Sequence, residues 1–223
     1  MNKLFRLMTV LMLSVGMTNA MAAATGKLKQ AEFENSNEAR QRGAEMVIST
    51  CMLCHSLKYV KFKDLMAIGM SEEEVESWLD DQNIDDRMMS LTPIEIREES
   101  YGKVPPDLSL ITIARKQGPE YVYTLLTDYY YREDGETDNH LFPGIKMPDA
   151  MAYADAETDE ERAEIEMQAR DLVAFLNWAA DPNADHRTTL GIYVIVYLVI
   201  LTAMLYLLKK RIWRRVHTVS DAE

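Results

Sequence analysis

The stretch STCMLCHSLKYVKF, Ser49–Phe62, holds both cysteines of the chain, two residues apart, with His55 directly behind the second. Three chemistries use such a pair. It can be a redox dithiol, half of a structural zinc site, or the C-x-x-C-H signature of covalent haem attachment. The rest of the sequence discriminates among them.

At 223 residues there is room for one ordinary domain with appendages. The first 24 residues have the three parts of a secretory signal: basic Lys3 and Arg6, a short apolar run from Leu7 to Val15, and small residues around Ala20–Ala24 for cleavage. That run is shorter than the ~20 residues a membrane helix needs. Near the other end, Leu190–Leu208 carries no charge and has no polar face. As a helix it reaches about 28 Å, close to the hydrocarbon thickness of a bilayer. Lys209, Lys210, Arg211, Arg214 and Arg215 follow it, whereas only His186 and Arg187 are basic just before it. The positive-inside bias puts this tail in the cytoplasm. Tyr193 and Trp213 suit the two membrane interfaces.

The expected organisation is therefore a cleaved signal over residues 1–24 and an exported domain over 25–188. An anchor helix over 189–209 and a short basic tail over 210–223 complete it. Without the leader and the tail, 17 basic residues stand against 34 acidic ones. Such a domain favours a basic partner and disfavours nucleic acid. The acids concentrate in Ser71–Asp86 and Asp155–Glu166, where a solvated helix face accounts for most of them.

An exported thioredoxin-like dithiol should open a helix after a strand within alternating β and α segments, and no such alternation is present. Structural zinc needs four protein ligands, which would have to include distant His140 or His186. Covalent haem uses all three residues at once, with Cys51 and Cys54 as thioethers and His55 as an axial ligand. A second axial ligand raises the question of methionine, which increases the reduction potential. Of 15 methionines, Met147 stands apart, in the loop HLFPGIKMPDAM whose prolines and glycine restrict its shape. His140 and Met151 remain rivals on spacing alone.

The periodicity is helical throughout. A helix is expected from about Asn37 to Cys54, with Gly43 and Val47 on one face. Ser71–Glu74 and Thr158–Glu161 are capping boxes. The second opens an amphipathic helix with Ile165, Ala169, Leu172, Val173, Leu176 and Ala180 on one stripe, ending near Asp181-Pro182. Pro119 starts another, with Val122, Leu125, Leu126 and Tyr129 in a 3-4 pattern. The fold class is all-α: a cytochrome c-like helical haem domain with long Pro-rich loops, plus one C-terminal transmembrane helix.

Beyond the pentad, QRGAEMVISTCMLCHSLKYVKF, VPPDLSLITIARKQGPEYVYTLLTDYY, NHLFPGIKMP and FLNWAADPNADHRTTLG occur in the order found in the cytochrome c1 family, the haem c subunit of quinol:cytochrome c oxidoreductase. The chain resembles that family over roughly residues 37–215. The resemblance implies one covalently bound haem c, with His55 and Met147 as axial ligands and Arg115 meeting a haem propionate. It also implies a pocket containing Pro106, Ile111, Tyr121, Leu125 and Phe142. Taken alone, those five would read as core residues and Arg115 as an exposed basic residue on a helix.

The implied function is one-electron transfer from a Rieske iron–sulfur subunit to a cytochrome c acceptor, in a complex with cytochrome b. The haem domain would be periplasmic and anchored to the cell inner membrane by one span. The alternative is a free-standing anchored cytochrome feeding a terminal oxidase. Two features depart from the family pattern. Only Ile145 and Lys146 separate Phe142-Pro143-Gly144 from Met147, and IDDRMMSLTPIEIREES has no clear counterpart.

Overall fold

The structure, a computed structural model, describes residues 27–79 and 82–220. The expected signal lies outside the described residues. Helix α1, Asn37–Ser49, starts where the Ser36 hydroxyl accepts the Ala39 N–H. It buries Ala39, Gly43, Ala44 and Val47, so the expected face is the one turned inward. It stops at Ser49 instead of reaching Cys54, because the chain tightens into a 3-10 turn over Cys51–Leu53. There the Cys51 carbonyl accepts both the Cys54 and the His55 N–H.

Helix α1 packs on α5, Asp159–Ala180. Gly43 permits the approach, since a Cβ there would collide with the Asp171 carbonyl. Beside it, Arg42 forks onto the Asp171 carboxylate at 2.6 and 2.9 Å. The Thr158 capping box is formed, with Glu161 returning to the Thr158 N–H. Leu172, Val173, Phe175 and Leu176 of α5 join Val47, Met52, Leu57, Phe62 and Leu65 in one core.

The three helices between α1 and α5 are short. Helix α2, Glu72–Glu76, has the Ser71 capping box and buries Val75. Helix α3, Ile94–Tyr101, buries only Arg97. Helix α4, Gly118–Leu126, has Pro119 in its first turn and sits against α5. Tyr129 falls beyond α4, because the chain turns at Thr127, whose hydroxyl donates to the Tyr123 carbonyl.

Among the described residues the domain is not purely helical. Strands β1, Leu57–Lys61, and β2, Arg87–Met88, form one antiparallel ribbon. Strands β3, Tyr129–Tyr131, and β4, Thr137–Asn139, form a second. Both are too short and too mixed in composition for a period-2 signal to show in the sequence. The fold remains mostly helical.

The last helix, α6, runs Ala184–Ser220. Within its stretch His186–Trp213, an 18-residue apolar window has a mean hydropathy of 2.4, and none of that window is buried in the protein. At 1.5 Å per residue these 28 residues reach about 42 Å, which is enough to cross a bilayer with its interfaces.

Candidate functional site

A mostly apolar cavity of about 310 Å³ opens between the Cys51–His55 turn, the Pro105–Tyr121 stretch, α4 and the loop ending at Met147. That volume falls in the ordinary range for ligand pockets.

One wall begins with the pentad. The Nδ1–H of His55 donates to the Pro106 carbonyl at 2.7 Å. A carbonyl can only accept, so the proton is assigned to Nδ1 and the lone pair to Nε2. Burial pushes the His55 pKa down, which favours the neutral imidazole that a metal requires. Burial also pushes the Cys51 thiol up to about 12, with Cys54 adding to the effect. A thiol held protonated in this way is a poor redox nucleophile and a poor zinc ligand. The two sulfurs are not joined. Among the described residues no group of three or more His, Cys, Asp and Glu side chains is placed to hold a metal ion.

The PPDLS stretch explains itself physically. Asp107 accepts the Lys58 and Ser109 N–H groups, the Ser109 hydroxyl accepts the Tyr59 N–H, and the Leu108 N–H donates to the Ser56 carbonyl. This polar zipper fixes Pro106, which has no N–H of its own, with its carbonyl toward His55.

Met147 arrives on an irregular loop secured by β3 and β4. The Asn139 side chain is fully buried. Its Nδ2 donates to the Leu125 carbonyl, while its Oδ1 accepts the Leu141 and Phe142 N–H groups. Asp138 accepts the Asn139 and Gly144 N–H groups, both at 2.8 Å. These bonds hold the Asp138 carboxyl below its ordinary pKa, the Asn139 N–H most strongly. Buried Tyr129 donates its hydroxyl to the Met147 carbonyl at 3.0 Å.

All ten residues named from the sequence line this one cavity: Cys51, Cys54, His55, Pro106, Ile111, Arg115, Tyr121, Leu125, Phe142 and Met147. The rivals lie elsewhere. His140 stacks on Tyr130, with centroids 4.0 Å apart, and Met151 packs against the core. Arg115 stands exposed at the rim on a turn, not a helix, with its guanidinium 4.0 Å from the Tyr121 ring centroid. Sequence reasoning missed Tyr101, Lys103 and Lys146 on the lining. Lys103 and Tyr101 lie just before the proline pair, and Lys146 precedes Met147, so proximity along the chain was the available signal.

Two thiols, a tautomer-fixed imidazole and a thioether around an apolar cavity with cations at its rim are chemically suited to hold a haem.

The chain matches the Cytochrome C1 family over residues 30–91 and 91–216. It is 33% identical to cytochrome c1 of Rhodospirillum rubrum over 224 residues, covering 79% of this chain and 81% of that one. It is 29% identical to the ammonia monooxygenase gamma subunit of Nitrosomonas europaea over 95% of this chain and 100% of that one. Among solved structures, a chain of a hyperthermophilic respiratory complex III is matched over 95% of this chain and 96% of that one, with 18% identity and a TM-score of 0.48. With its matched segments running from residue 30 to residue 216, the chain belongs to the cytochrome c1 family.

Proposed function

We propose that this chain is the haem c electron-transfer subunit of a respiratory quinol:cytochrome c oxidoreductase. It takes one electron at a time from a Rieske iron–sulfur subunit and delivers it to a cytochrome c acceptor. The observation that carries the reading is the single cavity that gathers Cys51, Cys54, His55 and Met147 in a member of the cytochrome c1 family. Haem, when bound, supplies an iron that accepts and releases one electron.

The chain's own residues do the rest. Cys51 and Cys54 would tether the group through thioethers, and His55 would offer Nε2 to its iron. Met147 would offer it a sulfur. Arg115 at the rim would balance a propionate, and Pro106, Ile111, Tyr121, Leu125 and Phe142 would exclude water from the ring. Keeping both donors in either oxidation state would limit reorganisation.

One haem c is bound per chain. Residues 1–24 are a cleaved signal, 25–188 the haem domain, 189–209 the anchor and 210–223 the basic tail. The domain lies on the periplasmic side of the inner membrane, and the tail is cytoplasmic. Cytochrome b and the Rieske subunit are its partners, and quinol chemistry belongs to them. The acidic domain steers a basic acceptor, raising the association rate more than the affinity.

The test is to purify the C-terminally tagged chain from membranes in mild detergent. Reduced-minus-oxidised spectra, partner identification and quinol:cytochrome c activity are then measured. Co-purifying b-type haem and an iron–sulfur subunit, with quinol-driven turnover, is the expected result. Haem c that is reducible yet inert toward quinol, in gentle and cross-linked preparations alike, overturns the assignment in favour of a free-standing carrier.

A further inference from the structure

Helix α3, for whose segment the sequence suggested no family counterpart, falls within the stretch 91–216 that the family matches, and its buried side chain is a charged one. Arg97 is only 8% exposed, whereas Ile94 and Ile96 of the same helix are about half exposed. Its Nη1–H donates to the Cys54 carbonyl at 2.9 Å. Its Nε–H has no hydrogen-bond partner, and no carboxylate among the described residues forms an ion pair with it. One turn further on, the Tyr101 hydroxyl lies 3.5 Å from Cys54 Sγ. Helix α3 therefore meets the haem-binding turn at two points on one residue, the carbonyl through Arg97 and the sulfur through Tyr101.

A neutral donor would satisfy the Cys54 carbonyl. A guanidinium with no carboxylate partner among the described residues is the costlier choice, since burying an ion carries a desolvation penalty that a neutral donor avoids. What distinguishes it from a neutral donor is a permanent positive charge bonded to the residue next to His55. At low effective dielectric that charge favours whichever state of the neighbouring site carries one more electron.

We propose that Arg97 is a positioning residue that raises the reduction potential of the haem site through its fixed charge. The inference rests on the haem c reading above and assigns a role to α3.

The test uses the full chain in its native membranes. R97K, R97Q and R97M are compared with wild type by redox titration of the haem c signal, with haem staining of the denatured chain as a separate readout. Glutamine keeps a donor for the Cys54 carbonyl and removes the charge; lysine keeps the charge. The expected result is that R97Q and R97M shift the one-electron equilibrium at least threefold toward the oxidised form. At 59 mV per tenfold change this is about 30 mV. R97K should stay within a factor of about one and a half of wild type.

An unchanged equilibrium in R97Q overturns the proposal, and so does R97K shifting as far as R97Q. Failure of both neutral variants to accumulate holoprotein also overturns it, since the charge is then structural. Failure of the haem c reading itself looks different, because the wild-type chain would then carry no covalent haem at all.

Discussion

The turn carrying Cys51, Cys54 and His55 and the loop carrying Met147 line the same cavity, yet they are held by different means. The turn grows out of α1, whose packing on α5 is fixed by the close approach at Gly43 and by the Arg42–Asp171 fork. It is then braced by Pro106, Arg97 and the Asp107 zipper. The Met147 loop does not grow out of a helix. Its shape comes from a few polar groups on β3 and β4, namely Tyr129, Asp138 and Asn139. One side is built on packed helices and a sequence motif, the other on individual hydrogen bonds. The first should fail completely when broken and the second by degrees.

The sharpest break of that comparison is on the turn. Replacing both cysteines by alanine, or His55 by alanine, should abolish holoprotein, read as loss of the alkaline pyridine haemochrome spectrum from membranes. His55→Ala also strips the Pro106 carbonyl of its donor. Normal haem content in either variant would remove the turn from the proposed site. Met147→Leu should behave otherwise: haem remains attached, carbon monoxide binds the ferrous protein, and the midpoint potential falls by more than one tenfold step, about 59 mV. A variant that refuses carbon monoxide would mean that Met147 is not the second ligand.

Asn139→Ala tests whether the loop depends on single bonds. It leaves the Leu125 carbonyl and the Leu141 and Phe142 N–H groups without their partner. At about 1–3 kcal/mol for an unsatisfied buried group, with partial relaxation, a loss on the order of 2–4 kcal/mol is expected. It should register as a lower unfolding midpoint of the detergent-solubilised chain, with fractional carbon monoxide binding. A midpoint unchanged from wild type would place the loop's stability elsewhere.

The same difference decides what could be read in advance. The pentad, both capping boxes, the α5 stripe and the apolar span each depend on a local spacing rule, so they were legible from the residues. The family resemblance brought together Arg115, Phe142 and the other pocket residues, which no spacing rule connects. What escaped was set by tertiary contact. Nothing in IEIREESY announces that Arg97 turns inward while both isoleucines face out, because a charged residue in a helix normally reads as solvent-facing. The two ribbons were likewise invisible, since β2 is two residues long and pairs with a strand about thirty positions away. Polar anchors such as Asn139 carry no pattern at all; their role exists only once Leu125 and Leu141 stand beside them.

The smallest expected effect concerns acid. Asp138 accepts two backbone N–H groups, from Asn139 and from Gly144 just ahead of the Met147 segment, and these hold its carboxyl below the ordinary 3.8. A carboxylate whose folded-state pKa is depressed binds fewer protons folded than unfolded. Its contribution is present above the unfolded value and disappears as pH falls through the folded one. The loop should thus be indifferent to pH across the neutral range and loosen only below the ordinary carboxylate range. The methionine-to-iron charge-transfer band, followed during acid titration, reports the loop directly. Asp138→Asn preserves the shape and an accepting oxygen but has no charge to lose, so its band should be slightly weaker at neutral pH and flatter through the acid limb. If the two titrations superimpose, acid acts through another group, and the loop owes its closure to Asn139 and Tyr129 alone.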